Sequence, residues 1–240
     1  MKEFKEGLYV GDVKMSGEQL QALGENNSSA KLSDFTIDTS TKESGNTVTS
    51  GMSLNAKSLE LPNPSGQLDT FSDVAIDAGM YGMDTDALVE YIKVNKGIQQ
   101  SVLAAGNDET AQNQAALATM SELIPAVEKL LKTGLGLNLK SSFNSEGAKN
   151  NISIDLSLVN AMKFNQMMGF LFSPDETLKN FKGNVNIDVK KEFLEKYPPL
   201  ALTVGGIPFF VQTESGATLD VALDSNVKTY RGTRTTFVQT

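Results

Sequence analysis

Three short motifs in this 240-residue chain have the residue types of a serine acyl-transfer site. Ser28 and Lys31 have SxxK spacing, Ser44 and Asn46 have SxN spacing, and residues 132–134 are KTG. In such a site a lysine amine takes the proton from a serine hydroxyl, and the serine oxygen then attacks an acyl carbon. The motifs would indicate acyl-transfer or hydrolase chemistry if the fold brought them together.

The elements predicted around these motifs do not match that chemistry. Penicillin-binding proteins use the motifs in this order, with the serine opening a buried helix and KTG on a strand. Here the sequence around Ser28 is typical of a loop, and KTG closes a helical pattern. Motifs this short also arise often by chance. A hydrolase that uses Ser or carboxylate chemistry in a cleft is therefore kept only as an alternative function.

Acidic pairs are the second candidate, because two carboxylates can hold a metal ion or share a proton. Asp73 and Asp77 lie in a predicted strand, where their separation is about 13 Å, too far for a shared ligand. Asp84 and Asp86 fit a first helical turn, where negative charge is favourable. The chain has no histidine and no cysteine, so the usual general base, thiolate nucleophile and zinc ligands are missing. We expect no catalytic residue, no metal and no cofactor.

Charge and hydropathy exclude two further classes of protein. The formal net charge is −8 and the 21 basic residues are scattered, whereas affinity for nucleic acid depends on clustered Lys and Arg. No run of about 18 apolar residues is present to span a bilayer, and the first residues lack the apolar core of a signal peptide. We expect a soluble protein, or one whose anchor has been removed.

Apolar residues recur at every second position along most of the chain, which is typical of strands with one buried face. The clearest predicted hairpin joins residues 137–143 and 151–158. Its predicted buried side chains are Leu139, Ile154 and Leu156, and its predicted exposed side chains are Lys140, Asp155 and Ser157. Beyond Ala56 the apolar residues change parity, which predicts a bulge near Lys57.

Two stretches have helical spacing instead: one begins at a plausible N-cap, Asp84, and the other covers residues 112–132. This pair lies between strands, so we expect it to pack across their apolar face. The predicted fold class is α+β, with long antiparallel twisted sheets built from hairpins and amphipathic helices packed on the apolar face. No low-complexity linker divides the chain, so residues 1–240 are expected to form a single domain.

A dense group of methionine and phenylalanine residues is the candidate binding site. Because methionine adapts to irregular apolar shapes, the group could line a groove for an acyl chain or a partner segment. Core packing explains it equally well, and both readings stay open. The candidate groove residues are Met162, Phe164, Met167, Met168, Phe170, Phe172 and Phe209.

A family resemblance appears in the passage from the second helix into the hairpin, "LATMSELIPAVEKLLKTGLGLNLKSSFNSEGAKNNISIDLSL". It resembles the YdgA-like family of uncharacterised bacterial envelope proteins, which have a helix with Leu-Pro near its middle, "LL" at its end, a strand, "EG" at the turn and an alternating return strand. The stretches "VAIDAGMYGMDTDALVEYI" and "LALTVGGIP" are also similar to that family. The resemblance covers roughly residues 50–210, and the chain runs well past its last motif.

The resemblance implies a place in the cell rather than a reaction. Members of the YdgA-like family carry an N-terminal membrane helix and export the rest, so this chain would be the periplasm-facing fragment of a protein anchored in the inner membrane. The family has no active site to carry over. We therefore expect a non-enzymatic envelope protein, acting as a scaffold or as an apolar-groove binder of a lipid, lipoprotein or protein partner. Nucleic acid is not expected as a partner.

Overall fold

The structure, a computed structural model, describes residues 2–5, 7–23, 29–63, 67–105, 121–168, 179–196, 211–213, 216–223, 229–232 and 235–238. The strands are β1 (Lys2–Lys5), β2 (Leu8–Leu23), β3 (Ser29–Ser44), β4 (Thr47–Pro62), β5 (Leu68–Asp84), β6 (Gly136–Ser145), β7 (Ala148–Leu158), β8 (Phe181–Lys190), β9 (Val211–Thr213), β10 (Gly216–Leu223), β11 (Thr229–Gly232) and β12 (Thr235–Val238). The helices are α1 (Thr85–Ala105), α2 (residues 121–130), α3 (Phe164–Met168) and α4 (Lys191–Lys196).

Ten of these strands form one antiparallel sheet in the order β1-β2-β3-β4-β5-β6-β7-β8-β10-β9, and β11 pairs with β12. The predicted hairpin is confirmed, since Leu139 faces Ile154 and Leu137 faces Leu156 across β6 and β7. The described chain is mostly β, which is broadly compatible with the predicted α+β class. The packing of amphipathic helices across the apolar face stays a prediction. Within the described residues, no helix has the length and apolar character needed to cross a membrane.

One face of the sheet is apolar from β2 to β8, and we call it the apolar face. Because directly opposed residues share a face, the ladder pairs define transverse rows across the sheet. One such row runs through Val13, Thr39, Met52, Ala78, Leu139, Ile154 and Val185. The next row runs through Gly11, Thr41, Ser50, Met80, Leu137, Leu156 and Gly183.

The exposure predicted for the hairpin needs one correction. Lys140 and Asp155 are exposed as predicted, but Ser157 is buried. The cause is Tyr81, whose ring lies across Gly136, the residue that pairs with Ser157 on β7. The Tyr81 hydroxyl donates a hydrogen bond of 2.9 Å to Asp155. The side chains predicted to be buried, Leu139, Ile154 and Leu156, are only half-buried.

The predicted bulge near Lys57 is wrong, because the register on either side of it is constant. Ser33 faces Ser58 and Phe35 faces Ala56, without a shift between them. Instead, three facing residues change parity together: Asp34 (φ 46°) on β3, Lys57 on β4 and Asp73 (φ 50°) on β5. Lys57 Nζ lies 3.6 Å from Asp34 Oδ2, and the Asn144 side-chain amide donates to Asp73 at 2.7 Å. We call these three residues the crossover row.

Of the three groups of buried apolar side chains in the described residues, the two larger ones lie toward opposite ends of the apolar face. The first joins sheet residues to α1 and the segment after β7, and its buried members are Leu8, Val48, Met83, Val89, Leu135, Leu158 and Met162. The second lies beside the crossover row, and its buried members are Leu32, Phe35, Ala56, Phe71 and Val74. Phe193 of α4 packs against the second group. The middle of the apolar face lies between these two groups.

Asp84 joins β5 to α1 and fixes the start of the helix. Its carboxylate accepts a hydrogen bond of 2.9 Å from the backbone N–H of Ala87 and pairs with the Lys132 ammonium at 3.0 Å. The Ala87 bond, followed by the bond from Lys132, lowers the pKa of Asp84 below its usual value. The carboxylate is therefore an N-cap that also holds α1 to the segment before β6.

We expect Asp84→Ala to lower the free energy of unfolding at pH 7 by about 1 kcal/mol, the usual value of a lost N-cap. Because the folded-state pKa is depressed, this stabilisation is fully present above the unfolded pKa and is lost as pH falls through the folded one. Asp84→Asn should keep most of the cap and lose the pH dependence. Urea unfolding of the three proteins between neutral and acidic pH measures this, and a variant difference that grows toward low pH would contradict it.

Candidate hydrophobic groove

The middle of the apolar face is a groove whose floor is made of small side chains. Thr39 and Ala78 lie in one transverse row, and Thr41 and Ser50 lie in the next. Small residues in neighbouring strands leave a depression because they stand lower than the side chains around them. Met80, in the second row, rises beside this floor and is 45% exposed.

The groove has a volume of about 700 Å³ and α1 forms one of its walls. Leu88 and Ile92 of α1 line it together with Val48 and Met83 of the first core group. The remaining lining residues are Leu8, Tyr9, Thr39, Thr41, Ser50, Gly51, Met52, Ala78, Gly79, Met80, Asn138 and Leu139. None of these side chains is charged. The volume lies in the range of pockets that hold small molecules.

The polar groups of the groove are uncharged, and two of them form a hydrogen bond with each other. Thr41 Oγ1 and Ser50 Oγ are 3.0 Å apart and share a hydrogen bond. Met52, which lies between Thr39 and Ala78 in the first row, is 44% exposed. Apolar surface in contact with water costs about 25 cal/mol per Å² relative to burial, so a hydrophobic occupant would be stabilised here. The site is suited to an uncharged apolar chain, with hydroxyls available to a weakly polar group.

The opposite face of the sheet carries a second depression of about 550 Å³ around Gly51 and Gly79. Its lining includes Asp12, Lys14, Ser40, Ser53, Asp77 and Tyr81. These are residue types that a hydrolase with Ser or carboxylate chemistry would require. Lys14 is paired with Asp38 at 3.5 Å, and both side chains are exposed. Within the described part of the chain, neither Ser40 nor Ser53 is hydrogen-bonded to a lysine amine or a carboxylate.

Tyr81 does not supply the missing base in this second depression. Burial, followed by the hydrogen bond to Asp155, raises the pKa of Tyr81 above its usual value of 10.0. The hydroxyl therefore stays protonated at neutral pH and acts as a donor. Among the residues described, no three or more acidic side chains cluster in a way that would hold a metal ion. The geometry here is that of an exposed polar surface on which Lys14 is paired with Asp38.

The three acyl-transfer motifs are not assembled into one site. Ser28 lies outside the described residues, and Lys31 pairs with Glu60 at 3.7 Å. Asn46 and Lys132 are brought together, since both contact the carboxylate of Asp84, at 3.5 and 3.0 Å. Lys31 is at the other end of β3 from the turn that holds Asn46. The second and third motifs thus meet at the cap of α1, away from the lysine of the first.

The methionine and phenylalanine group predicted as a groove lies only partly within the described residues. Met162 is buried in the first core group, and Met167 packs against it. The backbone N–H of Met162 donates to Leu131 at 2.9 Å, and that of Phe164 donates to Glu128 at 3.0 Å. Met168 is described only as the last residue of α3, and Phe170, Phe172 and Phe209 lie outside the described residues. The groove prediction for this group as a whole stays a prediction.

Sequence reasoning missed the residues that line the observed groove. Met52 and Met80 were visible as members of alternating strands, and Gly51 and Gly79 precede them in the chain. The pairing of Thr39 with Met52 and of Met52 with Ala78 depends on the register of three strands. The alternation of apolar and polar residues within one strand does not determine how that strand is aligned with its neighbours. The sequence does contain one signal: Met52 and Met80 each follow a glycine, and a methionine among small residues in paired strands is expected to be exposed.

Comparison with known proteins gives a family and no nearer relative. A family model described as bacterial protein of unknown function (DUF945) matches residues 1–203. No curated protein and no solved structure matches the chain significantly. The matched range includes every residue that lines the groove.

Proposed function

The chain belongs to the DUF945 family of bacterial proteins, and from this membership and the groove we propose that it is a non-enzymatic protein that binds the acyl chain of a lipid or lipoprotein. The observation that carries the proposal is the uncharged lining of the groove on the apolar face. Exposed Met52 and Met80 adapt to an irregular apolar ligand, and the α1 wall shields one side.

The proposal also includes a location. The resemblance to YdgA-like envelope proteins supports a periplasm-facing position, with an inner-membrane anchor supplied by sequence outside this chain. A periplasmic protein with an acyl-binding groove would meet lipids and lipoproteins there. A scaffold role for an envelope protein is compatible with the same surface, but the groove favours a ligand of small cross-section.

A hydrolase is the weaker alternative. It would need a nucleophile held by a base within hydrogen-bonding reach. The polar depression around Gly51 and Gly79 offers serines and an exposed Lys14–Asp38 pair, without a described serine-to-base hydrogen bond. Binding is therefore the better supported function.

The test compares two glutamates placed on the same strand. Met80→Glu puts a carboxylate in the groove, and Leu68→Glu puts one at a 53% exposed position of β5 outside the groove lining. Both proteins should fold, because both sites are exposed. Fluorescence titration with cis-parinaric acid should show binding to the parent and to Leu68→Glu, and at least about tenfold weaker binding to Met80→Glu.

Two outcomes would overturn the proposal. One is a parent protein that does not bind the probe; the other is equal binding by Met80→Glu and Leu68→Glu, which would place the bound chain elsewhere. Met80→Gln distinguishes charge from shape, since it keeps the length of the side chain without the charge. It should bind more tightly than Met80→Glu.

A further inference from the structure

The outer edge of β2 is the longest unpaired stretch of strand among the described residues. β1 covers only the start of β2, where Lys2 faces Val10 and Lys5 faces Leu8. From Gly11 to Leu23, no described strand pairs with the outer side of β2. Alternate residues of an edge strand direct their N–H and C=O groups outward, where they can template another strand.

This edge lacks most of the features that keep sheet edges from pairing. It is long, it contains no proline, and its side chains are almost all exposed. Val13, Met15 and Leu20 are large apolar side chains exposed along it. Short edges, prolines and bulges are the usual protections, and here only the lysine and acidic side chains remain. The edge therefore has the properties of a site for strand addition.

A second copy of the chain is a poor partner for this edge. Symmetric antiparallel pairing centred on Lys14 or on Glu18 would place each of these charges against its own copy, which is unfavourable. Centring on Met15 would set Asp12 opposite Glu18. The register centred on Ser16 would set Lys14 opposite Glu18, but it would also set Leu20 opposite Asp12 and Ala22 opposite Val10, which β1 already covers. The register centred on Gly17 would set Leu20 opposite Lys14. Registers centred beyond Glu18 would pair only the last part of β2 and leave Val13 and Lys14 uncovered. A register centred nearer the start of β2 would run into β1.

The inner side of β2, which pairs with β3, shows which side chains complement this strand. On β3, Ile37 faces Met15 and Asp38 faces Lys14, with Lys14 Nζ 3.5 Å from the Asp38 carboxylate. A segment with an apolar residue opposite Met15 and an acidic residue opposite Lys14 would meet the same requirements on the outer side. Such a segment would not place a like charge opposite Lys14.

We propose that the outer edge of β2, from Gly11 to Leu23, binds an extended segment of another protein, which adds antiparallel to the sheet as a further strand. The segment alternates apolar and polar residues and carries an acidic side chain opposite Lys14. Main-chain hydrogen bonds supply affinity in such complexes, and alternate side chains supply specificity. The added strand covers Val13 and Met15 on the apolar face. This site is separate from the acyl groove and does not depend on it.

The experiment uses the whole protein and a synthetic peptide with the sequence of residues 29–44, which is the β3 sequence. Hydrogen exchange is followed by NMR with and without the peptide. The outward amides of β2 should exchange at least about tenfold more slowly at saturation, while the protection of β3 stays unchanged. A scrambled peptide of the same composition should have no effect.

A charge swap tests the predicted register. A peptide with Asp38→Lys should bind the parent protein at least about tenfold more weakly and should recover on the protein variant Lys14→Glu. Absence of protection in β2, equal protection by the scrambled peptide, or loss of β3 protection through strand exchange would overturn the proposal. So would concentration-dependent protection of β2 together with a dimer mass, which would identify a second copy as the partner. Met80→Glu should leave peptide binding unchanged, so failure of the acyl-binding proposal is read separately.

Discussion

We expect Phe71→Ala to lower the free energy of unfolding by about 3–5 kcal/mol, the range for removal of a buried aromatic ring. Phe71 is 7% exposed. Its ring contacts Phe143 with a centroid distance of 5.6 Å and Phe193 with a centroid distance of 6.4 Å, both edge to face. The substitution therefore leaves a cavity where β5, β6 and α4 meet, and of the three ring contacts only that between Phe143 and Phe193, at 5.2 Å, remains.

Leu68→Ala on the same strand is the matched control for this cavity. Leu68 is largely exposed, so its truncation should change the free energy of unfolding by less than about 0.5 kcal/mol. Guanidinium unfolding monitored by circular dichroism gives both values. Similar losses in the two variants, or a loss under about 1 kcal/mol for Phe71→Ala, would show that the cluster beside the crossover row is not a core.

A comparable loss is expected for Gly183→Ala, for a different reason. Gly183 has a φ of 142°, which side-chain-bearing residues rarely adopt, and a Cβ there would overlap the carbonyl oxygen of Asp155 on β7. Backbone strain of this kind costs about 1–3 kcal/mol. Relieving the overlap adds to that cost, because β8 would have to move away from β7, where Gly183 pairs with Leu156.

Gly45→Ala separates the two contributions. Gly45 also has a positive φ, 61°, but nothing lies within 4 Å of the Cβ it would gain. Its replacement should cost only the left-handed strain, about 1 kcal/mol. Thermal unfolding of both variants provides the comparison. If Gly183→Ala is no more destabilising than Gly45→Ala, the close approach of β7 and β8 at this position is not present in solution.

The hairpins were predictable from the sequence because they depend on local alternation. β6 and β7 pair as their apolar residues indicate, with Leu139 facing Ile154. The burial of Ser157 was not predictable in this way. It depends on Tyr81, which is distant in the chain and reaches across β6 to Asp155. Contacts that cross an intervening strand leave no periodic pattern in the residues they cover.

The groove was not predictable for a related reason. Its floor exists because Thr39 and Ala78, from different strands, lie on either side of Met52 in one row. Each strand taken alone gives a plain alternation of apolar and small residues. The sequence instead predicts a groove at its densest apolar stretch. One residue of that stretch, Met162, is a buried core residue. Density of apolar residues in sequence indicates burial more directly than it indicates a binding surface.

The crossover row limits how these strands can slip during folding and how their sequences can change. A strand of uninterrupted alternation can slide by two residues and still direct every apolar side chain to the same face. In β3, β4 and β5 such a slide would misalign Asp34, Lys57 and Asp73 and turn some apolar side chains to the wrong face. Only one register therefore keeps the crossover row aligned and every apolar side chain on the same face. Over evolution, a residue inserted or deleted on one side of it in a single strand should be tolerated only with a matching change in its neighbours.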